Sequence, residues 1–259
     1  MTTGLILYAR LKSRRLARKV LKPINGRPMI GHLMDRLRQS AHAKHLTLCT
    51  STVAEDDDLA HFSEANGVTV FRGSADDVLV RLRDAAVRFG FSDFLCVTGD
   101  NPFADPAHLD ALAETARADR ADYATTADLP LGVTGYYLRT NAVKRACAIK
   151  DTSDTEFWPE YFTQTSVFRV ATARPLTASF ARPDLRLTVD YLEDFSLAET
   201  LINTLGGAPT LHKVIAYLDA HPDLRACNAQ AVQAARPSPT LKPRHSWDPL
   251  MDRFAAPTA

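Results

Sequence analysis

Short apolar runs alternate with longer amphipathic segments through the first half of the chain. Residues 4–9 (GLILYA) are typical of a strand buried on both faces. The other predicted strands of this half are 45–50, 68–71, 93–97 and 123–126. Apolar residues recur at helical spacing over 28–39, 56–66, 76–89 and 106–118. This alternation predicts right-handed βαβ units, and therefore an α/β fold with a mostly parallel sheet and helices on both faces.

The second half of the chain is less regular. Its pattern predicts strands over 135–139, 167–171 and 185–189, and helices over 192–203 and 212–220. We expect the strand at 167–171 to lie at a sheet edge. From Arg236 onward the chain is rich in proline and polar residues. We therefore expect one domain over residues 1–235 and a tail without its own core over residues 236–259.

Composition narrows the classes of function. The chain has 259 residues, of which 46% are hydrophobic, and a net charge of +1, which gives no reason to expect a nucleic-acid or membrane partner. The four cysteines lack the spacing of a zinc site. The sequence has no predicted signal peptide and no run of about 20 apolar residues, so the expected compartment is the cytoplasm.

A basic segment directly follows the first predicted strand. Residues 10–19 (RLKSRRLARK) contain six lysines or arginines and one serine. Ligands of open parallel sheets bind beyond the carboxyl ends of the strands, so this segment is a candidate site for a triphosphate. The alternatives are a solvated basic loop or a nucleic-acid patch.

Two aspartates end predicted strands. Asp100 follows the strand 93–97 and Asp190 follows the strand 185–189. Mg²⁺ prefers one or two carboxylates together with phosphate oxygens and water, so the pair is a candidate metal site. The alternative for Asp100 is a cap of the next helix. Asp194 is expected to lie in the first turn of the helix that begins near residue 192.

Several motifs resemble those of the CMP-sugar synthetases, and in particular the spore coat polysaccharide biosynthesis protein F group. The opening resembles that family's A-R, serine, R-L-P-x-K and N-G-x-P-x-I segments, which correspond here to residues 9–10, 13, 15–19 and 25–30. Residues 71–79 (FRGSADDVL), 98–102 (TGDNP) and 186–194 (RLTVDYLED) also resemble the group's motifs, in the same order. The resemblance extends from residue 4 to about residue 203.

The resemblance implies a fold, an activity and a set of site residues. The fold would be a single-domain, three-layer α/β sandwich with a Rossmann-like sheet, as in nucleotide-sugar glycosyltransferases of the GT-A type. The activity would be Mg²⁺-dependent transfer of CMP from CTP to a sugar or sugar-like acceptor, with release of pyrophosphate, for surface polysaccharide or glycoconjugate synthesis. A homodimer would be the expected assembly. The implied catalytic residues are Arg10, Lys19 and Asp100, and the implied metal ligands are Asp100 and Asp190. The implied nucleotide-binding residues are Leu7, Tyr8, Ala9, Arg10, Ser13, Arg15, Lys19, Arg72, Gly73, Ser74, Asp77, Thr98 and Gly99.

The chain also departs from the family pattern. Ala17 replaces the proline of R-L-P-x-K, Arg18 follows it, and residues 132–137 lack the acids of the group's G-x-D-x-E segment. The stretch 151–162 is dense in acids and aromatics, and Asp154 and Glu156 are candidate acceptor contacts; the alternative is a surface loop followed by a packed aromatic helix.

These departures leave two other functions open. One is a non-catalytic nucleotide-binding relative. The other is a glycosyltransferase that uses a nucleotide sugar on the same fold. Such an enzyme would normally carry a D-x-D motif, whereas Thr98 stands two residues before Asp100.

Overall fold

The central strand of the sheet is built from alternating side chains that enter two separate cores. In a computed structural model that describes residues 2–13, 15–231 and 238–242, this strand (β1) spans Thr3–Tyr8. Leu5 and Leu7 belong to the core on one face of the sheet, and Ile6 belongs to the core on the other. Successive side chains of a strand point to opposite faces, so a short run that is apolar throughout must be covered on both sides.

Seven strands form the main sheet, and their order confirms the predicted α/β architecture. The remaining strands are β2 (Pro23–Ile24), β3 (Arg27–Pro28), β4 (Leu46–Ser51), β5 (Thr69–Gly73), β6 (Asp93–Thr98), β7 (Tyr123–Thr126), β8 (Tyr136–Arg139) and β9 (Val170–Ala173). The order in the sheet is β5-β4-β1-β6-β8-β7-β9, while β2 and β3 form a separate two-stranded ladder. Only β8 runs antiparallel to its neighbours in the main sheet. The sheet is therefore mostly parallel, as predicted.

Helices cover both faces of the sheet and make three layers. They are α1 (Met29–Leu37), α2 (Asp57–Ala65), α3 (Val78–Arg88), α4 (Pro106–Ala118), α5 (Thr140–Ile149), α6 (Glu160–Thr163), α7 (Leu192–Leu205), α8 (Leu211–Ala220) and α9 (Pro222–Ala226). The apolar sides of α1, α4, α7 and α8 contribute to one core, and those of α3 and α5 contribute to the other. None of the helices in the described ranges is long and apolar enough to span a bilayer.

The prediction of a strand over residues 185–189 is wrong. This segment makes only a single bridge, between Arg186 and Leu131. Leu187 donates its backbone N–H to Leu131 at 2.7 Å, whereas the N–H of Val189 is donated to the carbonyl of Asp100 at 2.8 Å. Because its hydrogen bonds go to two different segments, the stretch is extended without forming a ladder. The edge position expected for 167–171 is confirmed, although the strand there is Val170–Ala173.

Part of the predicted C-terminal tail lies within the described residues. The carbonyl of Thr240 accepts a hydrogen bond from the N–H of Asp151 at 2.9 Å, and Lys242 donates its N–H to Ile149 at 2.9 Å. Leu241 pairs with Lys150 in an isolated bridge. Residues 238–242 thus lie against the end of α5. The rest of 236–259 lies outside the described residues, and the boundary at residue 235 stays a prediction.

Candidate active site

A cleft of about 680 Å³ opens at the carboxyl ends of β1 and β6. Its floor contains Thr98 and Gly99, and the amide of Gly99 donates to the carbonyl of Tyr8 at 3.0 Å. A Cβ atom on Gly99 would lie 2.6 Å from the Cβ of Ala9, far inside contact distance. Glycine therefore allows the two strand ends to approach each other closely, and this brings Asp100 next to the basic segment that follows β1.

Lys19 is a buried basic residue of this cleft. It begins a short 3-10 helix, Lys19–Leu21, after Arg18 in the left-handed region at φ 51°. Its Nζ lies 2.7 Å from Asp100 Oδ2, 3.0 Å from Asp190 Oδ1 and 2.7 Å from the carbonyl of Val189. Asp100 and Asp190, the two carboxylates expected to lie together, are thus brought together with one ammonium group between them, although Asp190 does not end a strand.

The charge of this ammonium group is stabilised by its two partners. Burial on its own lowers the pKa of Lys19, but the charges of Asp100 and Asp190 and the hydrogen bonds to both raise it, and the net pKa lies above the ordinary lysine value. Lys19 is therefore positively charged throughout the neutral range. A fixed positive charge at this position suits an anionic ligand.

Asp190 is held in place by further cations. Arg15 NH2 lies 2.7 Å from Asp190 Oδ1, and Arg186 NH2 lies 3.1 Å from Asp190 Oδ2. Arg186 is in turn paired with Asp194, Nε to Oδ1, at 2.8 Å. Asp190 is 4% exposed, so these pairs form where water screens them poorly.

Asp194 organises the backbone around this ion-pair network. One of its oxygens accepts the N–H groups of Asp190 and Tyr191 at 2.9 and 3.0 Å, and the other accepts Asn228 Nδ2 at 2.8 Å. Burial alone raises the pKa of Asp194, but the hydrogen bonds from Arg186, the two backbone amides and Asn228 outweigh it, and the net pKa lies below the ordinary value. Its predicted place in the first turn of a helix is confirmed by α7.

Arg10 and Ser13 also line the cleft. The guanidinium of Arg10 donates to the carbonyl of Ala75 and lies 3.3 Å from the carboxylate of Asp76. The hydroxyl of Ser13 accepts the N–H of Leu16 at 3.4 Å, which closes a turn in the basic segment. Residues 10–13 and 15–19 are therefore a folded loop, which contacts the chain just before α3 through Arg10.

Five of the predicted nucleotide-binding residues do not line the cleft. These are Leu7, Arg72, Gly73, Ser74 and Asp77. Leu7 is fully buried in the core, and Arg72 is paired with Asp57 at 2.6 Å. Asp77 caps α3 by accepting the N–H of Val80 at 3.1 Å and is ion-paired with Lys150. Aspartate is strongly preferred as a helix cap, and the carboxylate of Asp77 has this role. The preceding residue, Asp76, lines the cleft.

The predicted acceptor contacts Asp154 and Glu156 do line the cleft. Both are exposed, and Asp154 Oδ1 accepts the N–H of Glu156 at 3.2 Å. They lie beside a packed aromatic group in which Trp158, 1% exposed, meets Tyr136 edge-on with ring centroids 5.0 Å apart. The acids of this stretch thus face the cleft while the aromatics pack inward, and a contact of these acids with an acceptor stays a prediction.

Comparison with known proteins shows the family of this chain. The family model described as cytidylyltransferase matches residues 5–215. The chain belongs to the cytidylyltransferase family. The spore coat polysaccharide biosynthesis protein SpsF of Bacillus subtilis is 30% identical to this cytidylyltransferase over 227 residues, which cover 84% of the chain and 94% of the relative. The resemblance inferred from the motifs is thereby confirmed.

Solved structures support the fold of this cytidylyltransferase. A cytidylyltransferase from Leptospira borgpetersenii aligns with a TM-score of 0.80 at 23% identity, over 91% of this chain and 99% of that one. A CMP:2-keto-3-deoxy-manno-octonic acid synthetase complexed with CTP aligns with a TM-score of 0.60 at 15% identity, over 79% of this chain and 99% of that one. Both neighbours confirm the predicted three-layer α/β fold.

The chemistry of the donor set indicates how the cytidylyltransferase would hold a divalent metal ion. Asp100 and Asp190 each place a carboxylate oxygen within 3.0 Å of one point, the ammonium of Lys19. Asp100 is 23% exposed in its side chain, and its Oδ1 has no hydrogen-bond partner in the described part of the chain. Asp100 therefore fits a Mg²⁺ ligand. Both oxygens of Asp190 are already bound by cations, so its role as a second ligand stays a prediction.

Two residues of the site had no role in the sequence analysis. Arg81 lines the cleft although it is 1% exposed, and its Nε has no hydrogen-bond partner among the described residues. Asp56, also 1% exposed, accepts the N–H of Leu11 at 2.7 Å and the hydroxyl of Ser51, and so ties the basic segment to the end of β4. Arg81 could have been found from the sequence as a charged residue on an otherwise apolar helix face. Asp56 could not, because its contact with Leu11 joins residues 45 positions apart and no local pattern predicts it.

Proposed function

We propose that this cytidylyltransferase transfers CMP from CTP to a hydroxyl group of a sugar or sugar-like acceptor, in the cleft at the carboxyl ends of β1 and β6. The observation that carries the proposal is the position of Lys19, charged and between Asp100 and Asp190 in a cleft that also receives Arg10 and Arg15. Such a cluster suits a triphosphate because guanidinium and ammonium groups form charge-assisted hydrogen bonds with phosphate oxygens.

The reaction balances without any further reactant. An acceptor oxygen bonds to the α-phosphorus of CTP, the bond from that phosphorus to the bridging oxygen breaks, and pyrophosphate leaves while the hydroxyl proton is released. Negative charge accumulates on the leaving pyrophosphate. Lys19 and Arg10 would stabilise this charge, and their fixed positions avoid the cost of reorganising solvent during the reaction.

Asp100 would be a ligand of a divalent cation in this reaction. Asp100 lines the same cleft as the basic segment, and its Oδ1 has no hydrogen-bond partner among the described residues, which suits a cation shared between a carboxylate and phosphate oxygens. When bound, Mg²⁺ would neutralise part of the charge of the triphosphate. The proposal that CTP is the nucleotide is supported by the related synthetase, which was solved as a complex with CTP.

Asp154 and Glu156 are the proposed contacts for the acceptor. Both line the same cleft as Asp100, and carboxylates can accept hydrogen bonds from sugar hydroxyls. A role in surface polysaccharide synthesis is supported by the relative of that name in Bacillus subtilis. A homodimer in the cytoplasm, working on small-molecule substrates, completes the proposal.

The test is pyrophosphate release with each of the four nucleoside triphosphates and a panel of acidic and neutral sugars. CTP with Mg²⁺ and one acceptor class should give release, and chelation of the metal should stop it. Asp100→Asn should lower the rate by at least about 100-fold, because it removes a carboxylate from the reacting centre. Asp84→Asn is the matched control, since Asp84 lies on α3 and pairs with its neighbour Arg83.

Two outcomes would contradict the proposal. One is equal release from another nucleoside triphosphate. The other is saturable CTP binding with no release across the whole acceptor panel, which would favour a non-catalytic nucleotide-binding protein.

A further inference from the structure

A second cavity lies at the opposite end of β1 and β6 from the cleft. It has a volume of about 620 Å³ and is bordered by the first residues of β1 and β6, Thr3 and Asp93, and by the last residue of the antiparallel β8, Arg139. We call it the basal cavity. The six residues of β1 separate it from the cleft, a distance of roughly 17 Å at about 3.3 Å per residue.

The basal cavity is lined by an excess of cationic and imidazole side chains. These are Lys44, Arg117, Arg120, Arg139, His42 and His45. Asp93 is the only carboxylate among the described lining residues. It is already engaged, because it accepts the hydroxyl of Thr3 at 2.6 Å and lies 3.3 Å from Arg117 NH2. The lining therefore keeps a net positive charge.

Three of these cations have no acidic partner. Within residues 2–13, 15–231 and 238–242, neither Lys44, Arg120 nor Arg139 forms an ion pair. Single exposed cations are ordinary on protein surfaces, but here they surround one concave space. Like charges that share a concavity raise its positive potential and attract a counter-ion.

Tyr137 adds a neutral hydrogen-bond donor to the same cavity. It is 2% exposed yet lines the cavity, and its hydroxyl has no hydrogen-bond partner within the described ranges. Burial, with a contribution from Asp93, raises the pKa of Tyr137 to about 12, so the hydroxyl keeps its proton. A hydroxyl that lines a cavity and makes no hydrogen bond to the described residues is available as a donor to a ligand.

We propose that the basal cavity is a second anion site, which binds a small molecule that carries one or more phosphate groups. Arg120 and Arg139 supply forked donors that match phosphate oxygens, Lys44 supplies a point charge, and Tyr137 supplies a hydroxyl donor. The site is distinct from the cleft and does not depend on the function proposed there.

A small ligand fits these observations better than a nucleic acid. The net charge of the chain is +1, and the basic side chains converge on a concavity that also contains a buried tyrosine. Nucleic-acid surfaces instead carry a strong overall basic charge or an extended basic stripe.

The experiment is a titration of the full chain with inorganic pyrophosphate, without divalent metal, monitored by NMR of the histidine rings. His42 and His45 line the basal cavity, and the variants His42→Gln and His45→Gln assign their signals. We expect both signals to shift saturably, with one equivalent bound. The readout is local, so pyrophosphate bound in the cleft does not mimic it.

Charge-removing variants complete the test. The double variant Arg120→Gln with Arg139→Gln should weaken the binding reported by the two histidines by at least about tenfold. Arg174→Gln is the matched control, because Arg174 is exposed and follows the carboxyl end of β9, at an edge of the sheet.

Three results would overturn the proposal. The first is that the two histidine signals show no saturable shift up to about 10 mM pyrophosphate, because any binding would then be only weak association. The second is unchanged binding in the double variant. The third is a shift caused by a single-stranded oligonucleotide but not by pyrophosphate, which would make the surface a nucleic-acid site.

Discussion

Cationic side chains cluster both at the carboxyl ends of the strands and in the basal cavity, but the two clusters differ in their acidic partners. At the carboxyl ends, Lys19 lies between Asp100 and Asp190, and its charge is fixed in place by both. By contrast, Arg120 and Arg139 face the basal cavity without acidic partners in the described parts of the chain. Paired cations give a pre-organised site with little net charge, whereas unpaired cations give a strong positive field around a looser site.

The difference has a measurable consequence. Removing Lys19 from the cleft takes one cationic partner from Asp100 and from Asp190 in a partly buried place, which costs stability and function. Removing Arg120 or Arg139 from the basal cavity breaks no ion pair within the described residues and reduces repulsion.

Lys19→Met should lower the rate of pyrophosphate release from CTP by about 100- to 1,000-fold, the range found when one charge-stabilising donor is removed from a reacting centre. Methionine keeps most of the chain length of lysine but supplies no positive charge. Lys213→Met is the control, since Lys213 is exposed on α8. A Lys19→Met enzyme within threefold or so of the wild-type rate would contradict a role for this ammonium group in the reaction.

Asp194→Asn should reduce the free energy of unfolding by about 3 kcal/mol, the size expected when one partner of a buried ion pair is removed. The loss follows from the contacts of Asp194 with Arg186, Asn228 and two backbone amides. Urea denaturation measures the effect, and Glu193→Gln, one position earlier and exposed, is the control. Equal stability of the two variants would contradict the structural role of Asp194.

Wild type and Asp194→Asn also give a prediction about the dependence of stability on pH. The pKa of Asp194 is lower in the folded state than its ordinary value of 3.8, so the stability it contributes is present above that value. This contribution is lost as the pH falls through the lower, folded-state pKa. The stability difference between wild type and Asp194→Asn should therefore be constant near neutral pH and shrink below about pH 4.

Asp56→Asn should raise the KM for CTP by about tenfold with a smaller change in kcat. Asp56 touches no ligand in our proposal; it positions the basic segment by accepting the N–H of Leu11 at 2.7 Å. Loss of one charge-assisted hydrogen bond is worth about 1.5 kcal/mol, which corresponds to a factor of roughly ten. Glu55→Gln, exposed at the adjacent position, is the control, and an unchanged KM in Asp56→Asn would disprove the positioning role.

Arg139→Gln should change the free energy of unfolding by less than about 0.5 kcal/mol, and in the stabilising direction at low salt. The reason is that Arg139 has no ion pair to lose within the described residues and shares its cavity with other cations. The gain should disappear at about 1 M salt, where charges are screened within a few ångströms. A clear destabilisation would show that Arg139 has a structural partner after all.

Much of the fold was predictable because it is recorded in local patterns. Leu5 to Leu7 form a run that is apolar at every position, which only a strand covered on both faces accommodates. Helix α5 was missed, although Ala142, Val143, Ala146 and Ile149 recur at helical spacing, because small residues give a weak signal. The segment at 185–189 has the composition of a strand, but it lacks a continuous neighbouring strand, which no local pattern reveals.

The site was predictable in its parts and not in its arrangement. Asp100 follows a buried strand, so its place at the sheet edge could be inferred from the pattern alone. The bridge that Lys19 makes between Asp100 and Asp190 joins positions 81 and 171 residues away, and it depends on the turn at Arg18. Asp77 shows the converse case: a motif match predicts a ligand contact, which stays a prediction, while its local position at the start of α3 makes it a cap.

The most direct test of the central claim is calorimetric titration of CTP into the wild-type chain and into Lys19→Met, with Mg²⁺ present. We expect wild-type affinity for CTP to fall at least about 30-fold in Lys19→Met, because the triphosphate loses a fixed ammonium group. Equal affinity of the two proteins for CTP would contradict the claim that Lys19, between Asp100 and Asp190, forms the triphosphate site.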